Sequence, residues 1–233
     1  MQKVPIQIFP SILSGDFGKL AEEAKRIEAS RADGIHLDIM DGHFVPNLTF
    51  GPQAVAAIRK ATSLFLDVHL MIYNPFDFVE AFASAGADRI TFHFEATEDV
   101  EDTLQFIRRC GKKAGLSFRP ETSFSMIPKY ITQCDMVLIM TVSPGFGGQE
   151  FMSDMMEKIR LTREYCDRNA IRQGGIVKQG PNWPAFDIQV DGGINCETAK
   201  ICADAGANIL VSGNYLFKQK DLTKAVSNLR KCL

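Results

Sequence analysis

Short apolar runs alternate with amphipathic stretches from one end of the chain to the other. In the first amphipathic stretch, Leu20, Ala24 and Ile27 recur at the spacing of one helix face. Strands that alternate with helices are typical of βα units, which build a parallel sheet. The pattern predicts strands at 6–9, 34–38, 64–69, 88–93, 114–118, 136–140, 188–190 and 209–211, and helices at 16–30, 52–61, 75–85, 99–110, 124–131, 153–167, 197–205 and 222–231.

Eight βα units in a chain of 233 residues fit a closed (β/α)8 TIM barrel of the α/β class. We therefore expect a single catalytic domain over residues 1–233. The stretch 168–185 is rich in Gly, Asn, Gln and Pro, and we interpret it as a lengthened loop rather than a domain boundary. In such barrels the active site lies at the C-terminal ends of the strands.

Composition argues against several other classes of protein. With 45% hydrophobic and 23% charged residues, the chain has the make-up of an ordinary globular protein. A net charge of -2 and the lack of a basic block argue against nucleic-acid binding. No apolar run approaches the ~20 residues that cross a bilayer, and residues 1–12 do not resemble a signal peptide. The six cysteines include no Cys-x-x-Cys pair, so we expect reduced thiols in a cytoplasmic protein.

Polar side chains interrupt the second predicted strand, which is otherwise apolar. Because successive side chains on a strand point to opposite faces, His36 and Asp38 share one face, and Ile35 and Leu37 share the other. Burying an imidazole and a carboxylate without partners costs roughly 2–7 kcal/mol for each group, so something must compensate them. A metal ion is the leading candidate.

Similar polar residues end two other predicted strands. Asp67 and His69 close the third strand at the same i, i+2 spacing, and Asp191 closes the seventh. Barrel closure would bring together two imidazoles and two carboxylates, a set that suits zinc, iron, manganese or cobalt. The candidate ligands are His36, Asp38, His69 and Asp191. Asp67 could orient one ligand, whereas His43 and His93 fit the structural role that a lone histidine more often has.

Glycine-rich segments follow three consecutive predicted strands. Glycine lets the backbone present several N–H groups to one anion, so these loops could hold a phosphate group. A tight turn is the alternative for any one pair, but three such loops in succession favour phosphate. The candidates are Gly145, Phe146, Gly147, Gly148, Gly192, Gly193, Gly213 and Asn214. Met40, Met71 and Met140 lie near strand ends, either as core filler or as an apolar wall of the site.

Five segments together resemble the ribulose-phosphate 3-epimerase family. They are 9–14, 36–47, 67–71, 140–149 and 190–194, and the likeness covers nearly the whole chain. The resemblance implies a (β/α)8 barrel that interconverts D-ribulose 5-phosphate and D-xylulose 5-phosphate with one divalent metal ion. It also implies a place in the pentose phosphate pathway and the Calvin cycle.

The resemblance implies a role for each matching residue. Metal ligation is implied for His36, Asp38, His69 and Asp191, and acid/base catalysis for Asp38 and Asp191. Substrate contacts are implied for Ser11, Met40, His69, Met71, Met140 and Asp191, and phosphate contacts for Gly145 to Gly148, Gly192, Gly193, Gly213 and Asn214. Three positions depart from the family pattern: Arg119 and Ser143 stand where asparagine is usual, and Asn214 stands where serine is usual.

The chemistry of the reaction agrees with two carboxylates. Inverting a carbon next to a ketone needs one group to remove a proton and another to deliver one on the opposite face. We expect Asp38 to take the C3 proton, Asp191 to return one, and a bound metal ion to act as a Lewis acid. The expected partner is a phosphorylated ketose, and the outer helices of such barrels often form homo-oligomers.

Three alternatives stay open. An epimerase of D-allulose 6-phosphate needs the same chemistry and a slightly longer pocket. A metal-independent lyase acting on a phosphorylated sugar acid is a second alternative, but no Asp-x-Lys pair ends a predicted strand. A non-catalytic sugar-phosphate-binding barrel would be expected to lose an acid/base carboxylate, and this chain retains both.

Overall fold

The computed structural model describes residues 5–178 and 183–233. Residues 1–4 and 179–182 lie outside this part of the chain. Some of these residues belong to three segments interpreted above. These are 1–12, which does not resemble a signal peptide, 168–185, interpreted as one loop, and 1–233, expected to be one domain.

Strands and helices alternate through the described residues. The strands are β1 Gln7–Pro10, β2 Gly34–Met40, β3 Phe65–Met71, β4 Arg89–His93, β5 Lys113–Phe118, β6 Met136–Met140, β7 Ile171–Arg172, β8 Ile176–Val177, β9 Asp187–Asp191 and β10 Ile209–Ser212. The α-helices are α1 Leu20–Ala29, α2 Pro52–Ala61, α3 Val79–Ala85, α4 Val100–Arg109, α5 Ile127–Tyr130, α6 Met155–Arg168, α7 Cys196–Ala205, α8 Asn214–Phe217 and α9 Leu222–Lys231.

Eight of these strands form a parallel sheet in the order β1-β10-β9-β6-β5-β4-β3-β2. The two ends of this order meet through an isolated parallel bridge between Ser11 and His36, so the sheet is nearly closed. The prediction of an α/β (β/α)8 TIM barrel is therefore confirmed. No helix among the described residues is long and apolar enough to cross a membrane.

The alternation in β2 divides its side chains between two cores. Ile35, Leu37 and Ile39 belong to the large apolar cluster that packs the sheet against the helices. His36 and Asp38 are also buried, although they point to the barrel interior. The register pairs His36 with Asp67 and Asp38 with His69, so polar residues of neighbouring strands fall in the same layers.

Three local features differ from the sequence predictions. The predicted loop 168–185 contains an antiparallel hairpin of β7 and β8, whose strands are two residues each and too short for a periodic signal. The short helix α8 was not predicted. The predicted helices at 16–30, 75–85 and 124–131 begin with 3-10 turns at Phe17–Lys19, Pro75–Phe78 and Phe124–Met126.

The expectation of six reduced thiols is wrong for two of the cysteines. Cys196 at the start of α7 and Cys232 after α9 form a disulfide, with Cα atoms 5.5 Å apart. The two residues are 36 positions apart in sequence, and the docking of α7 beside α9 brings them together. The remaining four cysteines are free, and three of them are buried.

Candidate active site

Two imidazoles and two carboxylates meet at the C-terminal ends of the strands. One possible ligand atom from each of His36, Asp38, His69 and Asp191 lies within 4.8 Å of the others. His36 Nε2 is 3.3 Å from Asp38 Oδ1 and 3.8 Å from Asp191 Oδ2, and His69 Nδ1 is 3.2 Å from Asp38 Oδ1. This cluster could hold a metal ion.

A second observation also indicates that this cluster suits a divalent metal ion. His36 Nε2 is fully buried, aims into the cluster and has no hydrogen-bond partner among the described residues. An orphaned buried nitrogen of this kind costs free energy unless a ligand satisfies it. Imidazole nitrogen and carboxylate oxygen together suit several first-row metals, so the donor set does not select one of them.

A buried polar network orients His36 from behind. Asp67 Oδ2 is 2.8 Å from His36 Nδ1 and accepts a hydrogen bond of 2.7 Å from Gln189 Nε2. Arg89 Nε donates to Asp67 Oδ1 at 2.7 Å. Burial raises the pKa of Asp67, but Arg89 and His36 outweigh burial and hold the pKa well below its usual value. Asp67 is therefore an acceptor for the His36 Nδ1–H, which leaves Nε2 facing the cluster.

His69 has a different support on the side away from the cluster. Its Nε2 lies 2.9 Å from Nε2 of His93, and Nδ1 of His93 lies 3.3 Å from Glu95 Oε2. Burial lowers the pKa of His69, and burial likewise lowers the pKa of His93 to about 4. His93 is thus in hydrogen-bond contact with a candidate ligand, whereas His43 is exposed in the loop after β2.

The two candidate acid/base carboxyl groups have pKa values displaced in opposite directions. Burial raises the pKa of Asp38, but His36 and His69 outweigh burial and hold the pKa well below its usual value. Burial and the nearby Asp38 charge raise the pKa of Asp191 to about 7. Asp38 also accepts a hydrogen bond of 2.6 Å from Ser11 Oγ, which favours its ionised form.

The protonation of His36 is linked to the same charges. Burial opposes the imidazolium form, yet the Asp38 and Asp67 carboxylates raise the pKa of His36 well above its usual value. A proton on His36 Nε2 would therefore compete with a metal ion at the cluster, since the same carboxylates stabilise both positive charges.

A cavity of about 580 Å³ opens above this cluster. Asp38 and Asp191 border it, as do Ser11 and the three predicted methionines, Met40, Met71 and Met140. Met40 and Met71 pack with Val45 in a small apolar cluster, and Met140 packs inside the barrel. The structure thus brings the predicted apolar wall to the site, where these methionines face both the cavity and the core.

The predicted glycine loops form one side of the cavity. Its lining includes Gly145, Phe146, Gly147, Gly148, Gly192, Gly193, Gly213 and Asn214. Gly192 has φ of +121°, and a Cβ there would lie 2.5 Å from Val142 Cγ2 and 2.8 Å from Val142 N. A side chain at this position would collide with Val142 in the loop that follows β6. Glycine therefore allows the loop after β9 to approach the loop after β6 closely.

Asn214 is held in place by a neighbouring loop. Its Oδ1 accepts a hydrogen bond of 2.9 Å from Ser14 Oγ, and a Cβ at Gly148 would lie 2.6 Å from its Nδ2. The amide group therefore points its nitrogen toward the glycine loop after β6. An N–H donor is thus presented where the sequence predicts phosphate.

The loop after β2 is held by side-chain contacts with two other loops. Asn47 Nδ2 donates to Gly145 O at 2.8 Å, which joins this loop to the glycine-rich loop. The guanidinium carbon of Arg119 lies 4.2 Å from the centre of the Phe44 ring, and Arg119 Nη2 donates to Phe44 O at 3.0 Å. Arg119 therefore has a contact in this chain that an asparagine could not reproduce.

Sequence reasoning missed the polar residues behind the ligands, namely Arg89, Glu95, Ser117, Thr122 and Gln189. A signal existed for Glu95, since it follows His93 at the spacing that separates His36 from Asp38. For Arg89 and Gln189, no signal was available without the strand register, which pairs Asp67 with Arg89 and places Gln189 across the barrel.

Comparison with known proteins identifies relatives over nearly the whole chain. Residues 7–217 match the ribulose-phosphate 3 epimerase family. The ribulose-phosphate 3-epimerase of Chlamydia muridarum is 50% identical over 222 residues, covering 95% of this chain and 92% of the relative. That of Bacillus subtilis is 44% identical over 225 residues, covering 97% and 98%. The cytoplasmic isoform of rice is 42% identical over 229 residues, covering 97% and 93%.

Solved structures with low sequence identity share the fold. A 3-hexulose-6-phosphate synthase superposes with a TM-score of 0.67 at 14% identity, covering 98% of this chain and 100% of the other. A mutant tryptophan synthase α-subunit of Pyrococcus furiosus gives a TM-score of 0.71 at 15% identity, covering 98% and 99%. At such identities the likeness shows the barrel alone. With the family match and the relatives of 42–50% identity, the chain belongs to the ribulose-phosphate 3-epimerase family.

Proposed function

We propose that this protein is a ribulose-phosphate 3-epimerase that interconverts D-ribulose 5-phosphate and D-xylulose 5-phosphate. The observation that carries the proposal is the pair of carboxyl groups, Asp38 and Asp191, which border one cavity with oppositely displaced pKa values. Groups whose environments separate their pKa values in this way are suited to act as base and acid at neutral pH.

The two carboxyl groups have complementary roles in the proposed reaction. Asp38 is ionised and removes the proton from C3, which gives an ene-diolate. Asp191 is partly protonated near neutral pH, because its pKa is raised to about 7, and it delivers a proton to the opposite face of C3. The roles exchange in the reverse direction, because each group then starts in the form that the forward reaction leaves. Ser11 keeps the base in position through its hydrogen bond to Asp38.

The proposed cofactor is one divalent metal ion, held by His36, Asp38, His69 and Asp191. Its support is the convergence of the four ligand atoms and the orphaned Nε2 of His36. A bound metal ion would supply Lewis-acid stabilisation of negative charge on the oxygens of the substrate. Zinc, iron, manganese and cobalt all suit this donor set.

The remaining predicted residues bind and orient the substrate in this proposal. The glycine loops and Asn214 hold the phosphate group through backbone and side-chain N–H donors. Met40, Met71 and Met140 exclude water from the sugar carbons. Fixing the phosphate at one end places C3 between the two carboxyl groups, which lowers the entropic part of the barrier.

A conservative substitution of each carboxyl group tests the mechanism. Asp38→Asn and Asp191→Asn should each abolish epimerisation, because neither amide can exchange the required proton. Asp102→Asn, on the exposed side of α4, is the matched control and should retain full turnover. Near-wild-type turnover in either active-site variant, with fold and metal content intact, would refute the two-carboxylate scheme.

Solvent deuterium exchange tests the cofactor and the chemistry together. Deuterium should enter C3 of ribulose 5-phosphate in D2O, and exchange should stop when a chelator removes the metal ion. Exchange that continues after complete metal removal would refute the metal-assisted scheme. Comparing kcat/KM for ribulose 5-phosphate and for D-allulose 6-phosphate with the same preparation shows which of the two is the preferred substrate. A chain that binds either ketose without any exchange would be a non-catalytic binder.

We also propose a domain organisation, a location and an assembly state. The chain acts as one catalytic domain, which is supported by an apolar core that draws residues from β1 through α9. The protein is cytoplasmic, a location supported by its similarity to the cytoplasmic isoform of rice. The protein forms a homo-oligomer, which sedimentation of the purified protein would test.

A further inference from the structure

The side chain of Glu95 lies at the end of a hydrogen-bonded row that reaches a candidate metal ligand. Glu95 Oε2 contacts His93 Nδ1 at 3.3 Å, and His93 Nε2 contacts His69 Nε2 at 2.9 Å. His69 presents its other nitrogen, Nδ1, to the cluster, 3.2 Å from Asp38. Both histidines are fully buried, so water cannot substitute for the contact between them.

The contact between the two histidines accepts only one hydrogen. A neutral imidazole has one N–H donor and one acceptor nitrogen, so one of the two facing Nε2 atoms donates and the other accepts. If His93 were the donor, its Nδ1 would be an acceptor facing Glu95, and His69 would carry its hydrogen on Nδ1. If His69 is the donor, its Nδ1 has a free lone pair directed at the cluster.

Asp38 Oδ1, a carboxylate 3.2 Å from His69 Nδ1, favours the first arrangement when the cluster holds no metal ion. A metal ion bound to Asp38 would remove this competition, and Glu95 then decides between the two arrangements because a carboxylate can only accept. Its Oε1 already accepts from the backbone N–H of Arg119 at 2.9 Å and from the hydroxyl of Thr122. Burial raises the pKa of Glu95, but hydrogen bonds from His93, Thr122 and Arg119 outweigh it and lower the pKa to about 2. Oε2 therefore requires an N–H from His93 Nδ1.

We propose that Glu95 and His93 are positioning residues that keep the hydrogen of His69 on Nε2, so that Nδ1 is the metal-binding atom. The inference rests on the proposed function, since it assumes that His69 is a ligand. The two ligand histidines are then oriented in opposite senses, His36 through Nε2 by Asp67 and His69 through Nδ1 by this row.

The decisive variant is Glu95→Gln. Two donors, the Arg119 N–H and the Thr122 hydroxyl, would retain the amide oxygen at the Oε1 position. The new NH2 group would then face His93 Nδ1 and donate to it. This reverses the row, because His93 must donate from Nε2 and His69 must carry its hydrogen on Nδ1, which blocks the ligand atom.

Two measurements on the full chain read out this reversal. In metal-free protein carrying Asp38→Ala, which removes the competing acceptor, long-range 1H–15N correlation spectra should show the His69 hydrogen on Nε2 when Glu95 is present and on Nδ1 when Glu95→Gln is added. Competition with a chelator should show Zn²⁺ binding weakened about 10- to 100-fold in the variant. Ser117→Ala is the matched control: Ser117 Oγ also contacts His93 Nε2, at 3.4 Å, but it can accept or donate. This control should keep the His69 hydrogen on Nε2 in the Asp38→Ala background and, alone, change Zn²⁺ affinity less than about twofold.

The outcomes separate this inference from the proposed function. Wild-type protein that fails to bind Zn²⁺ would refute the proposed metal site itself. If wild type binds Zn²⁺ but the metal-free Asp38→Ala protein carries the His69 hydrogen on Nδ1, the row alone is overturned, as it would be by unchanged affinity in Glu95→Gln. If that variant does not fold, Glu95→Leu removes the acceptor without adding a donor, and unchanged Zn²⁺ affinity there would equally refute the proposal.

Discussion

Replacing Arg89 by methionine tests how strongly the network behind His36 stabilises the fold. Arg89 is 2% exposed and donates to the fully buried Asp67 at 2.7 Å, and its guanidinium carbon lies over the rings of Phe9 and Phe65, 5.6 and 5.4 Å from their centres. Methionine has a similar length and can pack against the same two rings. The substitution therefore removes the charge while leaving most of the packing in place.

The magnitude follows from the charge that is left behind. Removing one partner of a buried ion pair typically costs ~3–5 kcal/mol, because the other charge stays buried without compensation. Asp67 keeps contacts with His36 and Gln189, so we expect the lower end, about 3 kcal/mol, for Arg89→Met. Arg230→Met is the matched control: its ion pair with Asp33 has the same type of geometry, 2.8 Å, but is 40% and 33% exposed. Such a pair contributes about 1 kcal/mol or less.

The assay is urea-induced unfolding of both variants as a function of pH. Arg89 holds the pKa of Asp67 below its usual value, so this carboxylate stabilises the fold above the unfolded pKa of about 3.9 and the contribution is lost as pH falls. The difference between wild type and Arg89→Met should therefore be largest near pH 7 and narrow in acid. A difference at pH 7 within about 0.5 kcal/mol, or one that does not narrow in acid, would refute the reasoning.

Three further predictions concern the cavity. In steady-state kinetics, Arg119→Met should raise KM roughly tenfold, because it removes the stacking on the Phe44 ring and the hydrogen bond to Phe44 O. Adding Phe44→Leu to this variant should raise KM little further, since both substitutions remove the same contact. In inhibition assays, Asn214→Ala should weaken the binding of both ketose phosphate and inorganic phosphate about tenfold. Ser14→Ala should have an intermediate effect, because Ser14 donates a hydrogen bond to Asn214. Equal phosphate affinity in wild type and both variants would contradict this role of Asn214. The pKa of Asp191 is raised to about 7, so the metal-free protein should lose stability as pH rises from about 4 to 7, and Asp191→Asn should flatten that slope in urea unfolding.

The barrel could be predicted from the sequence because each strand and helix carries its own periodic signal. The predicted helix 52–61 and the predicted strand 136–140 have the bounds of α2 and β6. The hairpin of β7 and β8 could not be found in this way, since two residues cannot show a period. The disulfide depended on the docking of two helices, which no local pattern encodes.

The site was predictable only where function and strand position coincide. His36, Asp38, His69 and Asp191 lie on strands and share an end of the barrel, so their meeting follows from closure. The row from His69 to Glu95 depends on the tilt of β3 against β4 and on the path of the chain after β4. The spacing of His93 and Glu95 matches that of His36 and Asp38, but spacing alone does not place this pair beside His69.

The single bridge between Ser11 and His36 has a consequence for the stability of the barrel as a whole. It lies on the seam where the first strand meets the second, and the hydrogen bond from Ser11 to Asp38 crosses the same seam. Any ligand that binds both Ser11 and the carboxylate cluster would stabilise the contact between β1 and β2. Occupancy of the site should therefore slow amide hydrogen exchange in β1 more than in β5, on the far side of the barrel.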